Sequence, residues 1–169
     1  GLEGSPTTAP RVQHRVGITC ELPGTLICTE HFFRVPLNWR APRASDEAMI
    51  TVFVREIRLR KVSEVQKREA VPHVLYLQGG PGFPSPRLVG VGGWIKKLLT
   101  HSQGQVVLLL DQRGTGRSTP VTPHGLSMIS GGERQAEYLS HFRADSIICD
   151  CEGIRRALLG TRKWRVLGQ

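Results

Sequence analysis

Two glycine-rich segments carry the residue types in this sequence that could do chemistry. The first has the sequence QGGPG at residues 78–82 and follows the apolar run at residues 73–77. Glycines at the end of a strand leave backbone N–H groups open, and such groups can stabilise a developing negative charge as an oxyanion hole. The glycines that end this strand are Gly79 and Gly80. A purely structural glycine turn is the alternative interpretation of the same spacing.

The prolines around this first segment exclude a nucleotide-binding role. Dinucleotide-binding folds need G-x-G-x-x-G at the start of a helix whose amides bind the pyrophosphate. Here Pro81, Pro84 and Pro86 remove amide donors and interrupt such a helix. The phosphate-binding pattern G-x-x-x-x-G-K-[ST] does not occur either. The open amides therefore favour an oxyanion over a phosphate.

The second segment has the sequence DQRGTGRS and begins at Asp111, directly after another apolar run. Asp111 and Arg113 can pair with each other or with backbone groups, and Gly114 and Gly116 permit a tight reversal of the chain. A catalytic role for Asp111 would need a histidine partner, which the sequence does not supply. We therefore interpret this segment as a loop that a buried structural ion pair holds in shape.

The elements that must position these two loops follow an α/β order. We predict strands at residues 32–37, 49–57, 73–77, 106–110 and 164–167, the first two antiparallel and the last one buried. The continuous apolar runs at 73–77 and 106–110 are typical of parallel strands that are covered on both faces. For the charged residues 58–70 we expect a hairpin loop or a strand end.

Two helices are predicted between the strands. A short amphipathic helix covers residues 94–99, and a longer one covers about 133–159, with Gly160 as its C-terminal stop. The apolar stripe of the longer helix has the 3.6-residue period and consists of Ile147, Cys151, Ile154 and Leu158. Strands alternating with helices indicate an α/β fold, because each helix covers a face of the sheet.

Composition and charge exclude several classes of partner. The 169 residues include 23 Lys and Arg against 14 Asp and Glu, a net charge of +9. The basic residues are scattered, and their densest run, at residues 55–61, soon meets Glu64 and Glu69. Aromatic residues make up only 6%, too few for a base-stacking platform. No apolar run approaches the roughly 18 residues of a membrane span. We expect neither nucleic acid nor a membrane as a partner.

The ends and the cysteines bound the organisation of the chain. Residues 1–28 are predicted to be a disordered leader or linker with a possible first strand, and residues 29–169 to be part of one α/β domain. The four cysteines lack metal-ligand spacing, so we expect no metal, and we favour buried free thiols in a reducing, intracellular compartment, cytoplasm or plastid. A disulfide between Cys20 and Cys28 is the geometrically possible alternative.

The two glycine segments and their flanks resemble the proline iminopeptidase (prolyl aminopeptidase) family of α/β-hydrolases. The resemblance rests on residues 75–82, 86–87 and 110–120, in that order. Further on, residues 141–155 resemble the helix that precedes the family's nucleophile strand, and residues 164–169 resemble the approach to its nucleophile elbow, G-Q-S-x-G-G. Gln78 stands where many members have histidine, which affects subgroup and substrate range more than fold.

The resemblance implies an α/β-hydrolase fold that this sequence fills only in part, from the opening antiparallel strands to the nucleophile strand. It implies a serine aminopeptidase that releases N-terminal proline, or a similar residue, from peptides without a cofactor. Gly80 is the favoured oxyanion-hole donor, and Gly79 and Gly82 shape the loop. The alternatives are another α/β-hydrolase, of the esterase or epoxide hydrolase type, or a catalytically inactive truncated product.

The resemblance also places the catalytic triad outside the sequence. The nucleophile would be the residue after Gln169, and the acid, the histidine and the substrate-binding cap would follow it, because the triad of α/β-hydrolases runs serine, acid, histidine along the chain. None of the six histidines is then the triad base: His14, His31, His73, His101, His124 and His141. We therefore expect the 169-residue chain alone to be inactive.

Overall fold

The computed structural model describes residues 11–42, 47–80, 82–87, 93–100 and 104–168. The strands in this part of the chain are β1 (Gln13–Leu22), β2 (Leu26–Pro36), β3 (Met49–Leu59), β4 (His73–Leu77), β5 (Val106–Asp111) and β6 (Arg165–Gly168). The helices are α1 (Glu64–Glu69), α2 (Gly93–Thr100), α3 (Pro123–Ser127), α4 (Gly132–Ser140) and α5 (Ala144–Leu159).

All six strands form one mixed sheet in the order β1-β2-β3-β5-β4-β6. Strands β1, β2, β3 and β5 are antiparallel neighbours, whereas β4 lies between β5 and β6 and runs parallel to both. The α/β architecture predicted from the sequence is confirmed. The opening, however, contains three antiparallel strands rather than two.

The core lies on both faces of the sheet, and strand β5 contributes to each. Its Leu108 and Leu110 pack in the cluster that includes the stripe of helix α5, while Val107 and Leu109 pack in the cluster that includes helix α2. Successive side chains of a strand point to opposite faces, so a strand covered on both sides needs an unbroken apolar run. The prediction for β4 and β5 rested on this pattern and is confirmed.

The predicted boundary between residues 28 and 29 is wrong, because it falls inside β2. Residues 13–22 form β1, which pairs with β2 through a tight turn at Gly24 and Thr25, both with positive φ. Most side chains of β1 are exposed, so the segment lacks the apolar alternation that marks a half-buried strand. The sequence analysis also allowed a possible first strand within residues 1–28, and β1 is such a strand. Residues 1–10 lie outside the described residues.

The helix predictions need two corrections. Residues 133–159 form two helices rather than one, because the backbone is extended at Arg143. Between the two helices, the carbonyl of His141 accepts a hydrogen bond from Arg113 at 2.6 Å. Within residues 58–70, the structure has helix α1, which begins at a capping box between Ser63 and Gln66. The predicted α2, the apolar stripe of α5 and the stop at Gly160 are confirmed.

Strand β6 was expected to be buried, but its four residues are exposed. It lies at one edge of the sheet, where β4 is its neighbour among the described residues. Val166 and Leu167 are 58% and 40% exposed as a result. No helix in the described ranges is long and apolar enough to cross a membrane.

The four cysteines are free thiols, although only two of them are buried. Cys20 is exposed and lies directly opposite the buried Cys28 on the neighbouring strand. Burial raises the pKa of Cys28 to about 11 and that of Cys151 to about 12. Both thiols therefore stay protonated and unreactive near neutral pH.

Candidate functional site

The structure brings the two glycine segments to the same edge of the sheet. Residues 78–80 follow β4, and the segment after Asp111 follows β5, the parallel neighbour of β4. Both loops therefore lie at the carboxyl ends of parallel strands, where open α/β sheets bind ligands. The sequence patterns predicted the two loops separately, and the parallel pairing of β4 with β5 joins them.

The first loop depends on glycine for its backbone conformation. Gly80 and Gly82 have φ angles of +129° and +148°, which side-chain-bearing residues rarely adopt. Gly80 is exposed, and among the described residues none accepts a hydrogen bond from its N–H group. Gly79 is half-buried beside it, and Pro81 lies outside the described residues. The amide of Gly80 is thus open at the carboxyl edge of the sheet.

Gln78, the residue that departs from the family pattern, fixes the start of this loop. Its side-chain oxygen accepts a hydrogen bond from the Tyr76 hydroxyl at 2.9 Å, so the side chain turns back toward strand β4. Its carbonyl oxygen accepts a hydrogen bond from Gln112 Nε2 at 3.1 Å. Gln112 belongs to the second loop, so this bond holds the two loops together.

The carboxylate of Asp111 is the main link between the loops. It is buried, and its Oδ1 and Oδ2 accept hydrogen bonds from the backbone amides of Ser85 and Arg117, each at 2.9 Å. The Ser85 hydroxyl donates to the carbonyl of Leu110 at 2.6 Å, and the Ser118 hydroxyl donates to that of Asp111. The sequence left two alternatives for Asp111, pairing with Arg113 or with backbone groups. The backbone alternative is what the structure contains.

Gly116 is required where the second loop passes over Asp111. Its φ is +54°, and a Cβ atom there would lie 2.7 Å from the Cβ of Pro84 and overlap the Asp111 carboxylate. Gly114 also has a positive φ, +88°, and a Cβ there would lie 3.1 Å from the Phe142 ring. The two glycines therefore permit the tight reversal that the sequence predicted.

Arg113 forms its ion pair with Asp150 of helix α5. Its Nε and Nη2 donate to the two carboxylate oxygens at 2.7 and 2.6 Å, and the side chains are 0% and 1% exposed. The remaining N–H groups of Arg113 donate to the carbonyl oxygens of Pro36, Leu37 and His141, at 3.0, 2.8 and 2.6 Å. One guanidinium thus connects the second loop to β2, α4 and α5.

Sequence reasoning missed Asp150, although a signal for it existed. The residue is three positions after Ile147 and four before Ile154, so it lies on the apolar stripe of α5, where an acidic side chain needs a partner. Burial raises the pKa of the Asp150 carboxyl, while hydrogen bonds from Arg113 and from Trp39 Nε1, at 2.8 Å, oppose the rise. These partners can be identified only from the tertiary structure.

A second polar cluster joins β1 to β2 and β3, at a distance from the glycine loops along the strands, with His31 and Glu56 buried and His14 exposed. His14 Nε2 is 2.9 Å from His31 Nδ1, His31 Nε2 is 3.4 Å from Glu56, and Glu56 is 2.9 Å from Lys67 Nζ. Burial lowers the pKa of His14 and that of His73, which borders the same cavity, to about 4. Burial alone would raise the pKa of Glu56, but His31 and Lys67 lower it to about 2.

The described residues contain no nucleophile–base pair at the loops. Ser85 and Ser118 are buried and donate their hydroxyl protons to carbonyl oxygens. His73 is at the opposite end of β4, where its ring contacts the carbonyl of Val71 at 3.0 Å. His101 lies outside the described residues. No three side chains in the described part of the chain are grouped to hold a metal ion. What the loops offer chemically is a fixed backbone donor.

The fold and the loops define an α/β protein with an open backbone donor at the carboxyl edge of its parallel strands. Over 142 residues the chain is 47% identical to a proline iminopeptidase from Aeromonas sobria, which covers 84% of this chain and 31% of that protein. It is 38% identical over 150 residues to proline iminopeptidase aneH from Aspergillus aculeatus, with 86% and 32% covered. The relationship to the proline iminopeptidases that the motifs predicted is confirmed.

The extent of these matches is limited. The chain spans about a third of the length of the curated relatives that it matches. No family model matches it. Among solved structures, a prohormone-processing carboxypeptidase from Saccharomyces cerevisiae aligns at 17% identity with a TM-score of 0.39, over 83% of this chain and 30% of that one. A structural similarity this low supports no conclusion about fold or function.

Proposed function

We propose that this chain supplies the oxyanion-stabilising loop of a serine aminopeptidase that releases N-terminal proline, or a similar residue, from peptides. The observation that carries the proposal is the exposed N–H of Gly80, which has no acceptor in the described structure and lies where the two glycine loops meet. The 47% identity to a protein named proline iminopeptidase supports the substrate class.

In this proposal the chemistry is acyl transfer. A histidine-activated serine attacks the carbonyl of the first residue, and Gly80 N–H donates to the resulting oxyanion. The C–N bond then breaks as the histidine returns the proton to the amine of the departing peptide, and water hydrolyses the acyl-enzyme to free the first residue and the serine. Asp111 takes no part in proton transfer, because both of its oxygens already accept backbone N–H groups. Its role is to hold the loops in place before substrate binds, since preorganised donors stabilise transition-state charge most effectively.

We infer that the rest of the site lies in the portion of the relatives that these 169 residues do not match. The mixed sheet is then the first portion of an α/β-hydrolase sheet, and the serine, acid, histidine and cap are contributed by the remainder. The absence of a serine–histidine pair among the described residues supports this division. The 169-residue chain alone should be inactive.

The first experiment uses the 169-residue chain itself. We expect no hydrolysis of a proline amide reporter and no covalent labelling by a serine-directed fluorophosphonate. A chimera in which these residues replace the matching third of the Aeromonas sobria relative should regain both. Turnover or labelling by the short chain would show that a nucleophile within these residues operates, and the assignment of roles would be wrong.

The second experiment tests Gly80 within that chimera. Gly80→Ala strains a backbone at φ +129° and displaces the amide, while Gly24→Ala imposes strain at φ +83° in the turn between β1 and β2, away from the loops, and serves as the control. Complete loss of one oxyanion donor costs roughly 10²–10³ in kcat. We expect Gly80→Ala to lower kcat at least about tenfold, with KM little changed. An equal loss of kcat in Gly24→Ala, or an unchanged kcat in Gly80→Ala, would refute the role of Gly80.

A further inference from the structure

A cavity of about 470 Å³ lies beside the candidate loops, on the α2 face of the sheet. Its walls include three arginines, Arg55, Arg87 and Arg117, together with Pro84 and Asp111. Arg55 belongs to the basic run at residues 55–61. Because alternate residues of a strand point to opposite faces of the sheet, its side chain lies on the face of β3 that borders the cavity.

Two of these guanidinium groups pack against the same aromatic ring. The Arg117 and Arg55 guanidinium carbons lie 4.2 and 4.9 Å from the centroid of Phe53. The ring attracts each cation through its negative face, and this places both positive charges at the cavity. Glu30 is the carboxylate that pairs with Arg117, through Nη2 at 3.2 Å and through Nη1.

The cavity contains more positive charge than its own carboxylates compensate. Arg55 and Arg87 form no ion pair within the described residues, and Arg55 Nη1 is buried without a hydrogen-bond acceptor. Asp111 adds a negative charge, but both of its oxygens are already bound to backbone amides. An acidic group that enters the cavity would therefore meet unpaired guanidinium donors.

The cavity also lies within reach of the candidate oxyanion donor. Pro84 in its wall is four residues after Gly80, so their Cα atoms are separated by at most about 14 Å, the span of four extended residues. A short peptide that reacts at Gly80 could therefore place a group two to four residues along its chain in the cavity.

We propose that Arg55, Arg87 and Arg117 form a subsite for a carboxylate of the peptide substrate. This inference rests on the proposed function. An enzyme that releases the first residue leaves every carboxylate of its substrate on the departing peptide, as the C-terminal carboxylate or as an acidic side chain. The subsite therefore favours short or acidic peptides, because guanidinium groups form strong charge-assisted hydrogen bonds with carboxylates.

Direct binding to the 169-residue chain tests the subsite without requiring catalysis. The probes are Pro-Ala-Ala with a free C-terminus, its C-terminal amide, the amidated peptide Pro-Ala-Glu, and inorganic phosphate, each measured by calorimetry. We expect the free acid to bind at least about tenfold more tightly than its amide, and phosphate to compete with it. Binding of amidated Pro-Ala-Glu would show that a side-chain carboxylate also serves, and its failure would restrict the subsite to the C-terminus.

Three variants connect the binding to the cavity. Arg55→Met and Arg87→Met should each weaken binding of the free acid about tenfold. Arg60→Met is the control, because Arg60 is exposed and pairs with Glu21 away from the cavity. Arg87 is exposed, so its variant remains informative if Arg55→Met fails to fold. Equal binding of acid and amide, or unchanged binding in the Arg87→Met chain, would overturn the proposal.

The proposal and the function on which it rests can fail separately. Carboxylate binding that depends on Arg87, without proline release by the chimera, would refute the proposed function and leave an anion site. Proline release by the chimera at equal kcat/KM for the free acid and its amide would refute the subsite and leave the function intact.

Discussion

Removing Arg113 should destabilise this fold more than removing any exposed charge. In Arg113→Met the Asp150 carboxylate would remain 1% exposed without its cation, and breaking a buried pair in this way typically costs about 3–5 kcal/mol. The carbonyl oxygens of Pro36, Leu37 and His141 would also lose a donor. The bond to Pro36 is buried, and an unsatisfied buried group adds about 1–3 kcal/mol. The total is a large share of the whole stability of an ordinary domain, about 5–15 kcal/mol.

Asp150→Asn should cost less than Arg113→Met. Arg113 would keep its three carbonyl acceptors, and an asparagine oxygen can still accept the hydrogen bond of Trp39. The expected loss is about 3 kcal/mol, at the lower end of the range for a broken buried pair. The order of the two variants therefore tests whether the backbone carbonyls, and not the ion pair alone, depend on Arg113.

Urea unfolding followed by tryptophan fluorescence measures these differences as shifts in the midpoint. The matched control is Arg40→Met, because Arg40 pairs with Asp145 at 2.5 Å with side chains that are 84% and 48% exposed. We expect no measurable change in that variant, since exposed pairs contribute little. If Arg113→Met unfolded at the same urea concentration as Arg40→Met, the argument that Arg113 joins the loop to β2, α4 and α5 would be wrong.

Two further predictions concern pH and charge. Because the pKa of His73 is about 4 when folded and near 6.5 when unfolded, the unfolded state binds more protons between these values. The free energy of unfolding should therefore fall as the pH drops from about 6.5 to 4. Glu56, with a pKa of about 2, should extend this loss of stability from about pH 4.5 downward. A urea midpoint independent of pH would contradict this prediction. Separately, duplex DNA at about 150 mM salt should bind no tighter than ~10⁻⁴–10⁻⁶ M by fluorescence anisotropy, and tight, salt-resistant binding would contradict the absence of a nucleic-acid role.

The sequence predicted best those elements whose burial is uniform along the chain. Strands β4 and β5 are covered on both faces and read as unbroken apolar runs, and their boundaries agree with the structure within a residue. Strand β1 was predicted only as a possible first strand, because its side chains are mostly exposed and its stability comes from pairing with β2. Helix α1 was not predicted, because its residues are mostly charged and the capping box at Ser63 was not recognised.

The partners within the site were less predictable than its position. The motif identified Asp111 and Arg113 as loop residues, but their neighbours in sequence are not their neighbours in space. Arg113 pairs with Asp150, 37 residues away, and Asp111 accepts the amide of Ser85, 26 residues away. Such contacts follow from the order of the strands, which local periodicity does not encode.

The structure thus separates two tasks that the motif residues share. Every N–H group of the Arg113 side chain donates to Asp150 or to a backbone carbonyl, and each carboxylate oxygen of Asp111 accepts a backbone amide, so both side chains are engaged in holding the loop. Gly80 contributes no side chain and has an open amide. The charged residues therefore fix the loop, and the uncharged one carries the candidate chemistry, because a backbone donor stabilises an oxyanion only when the loop is already in place.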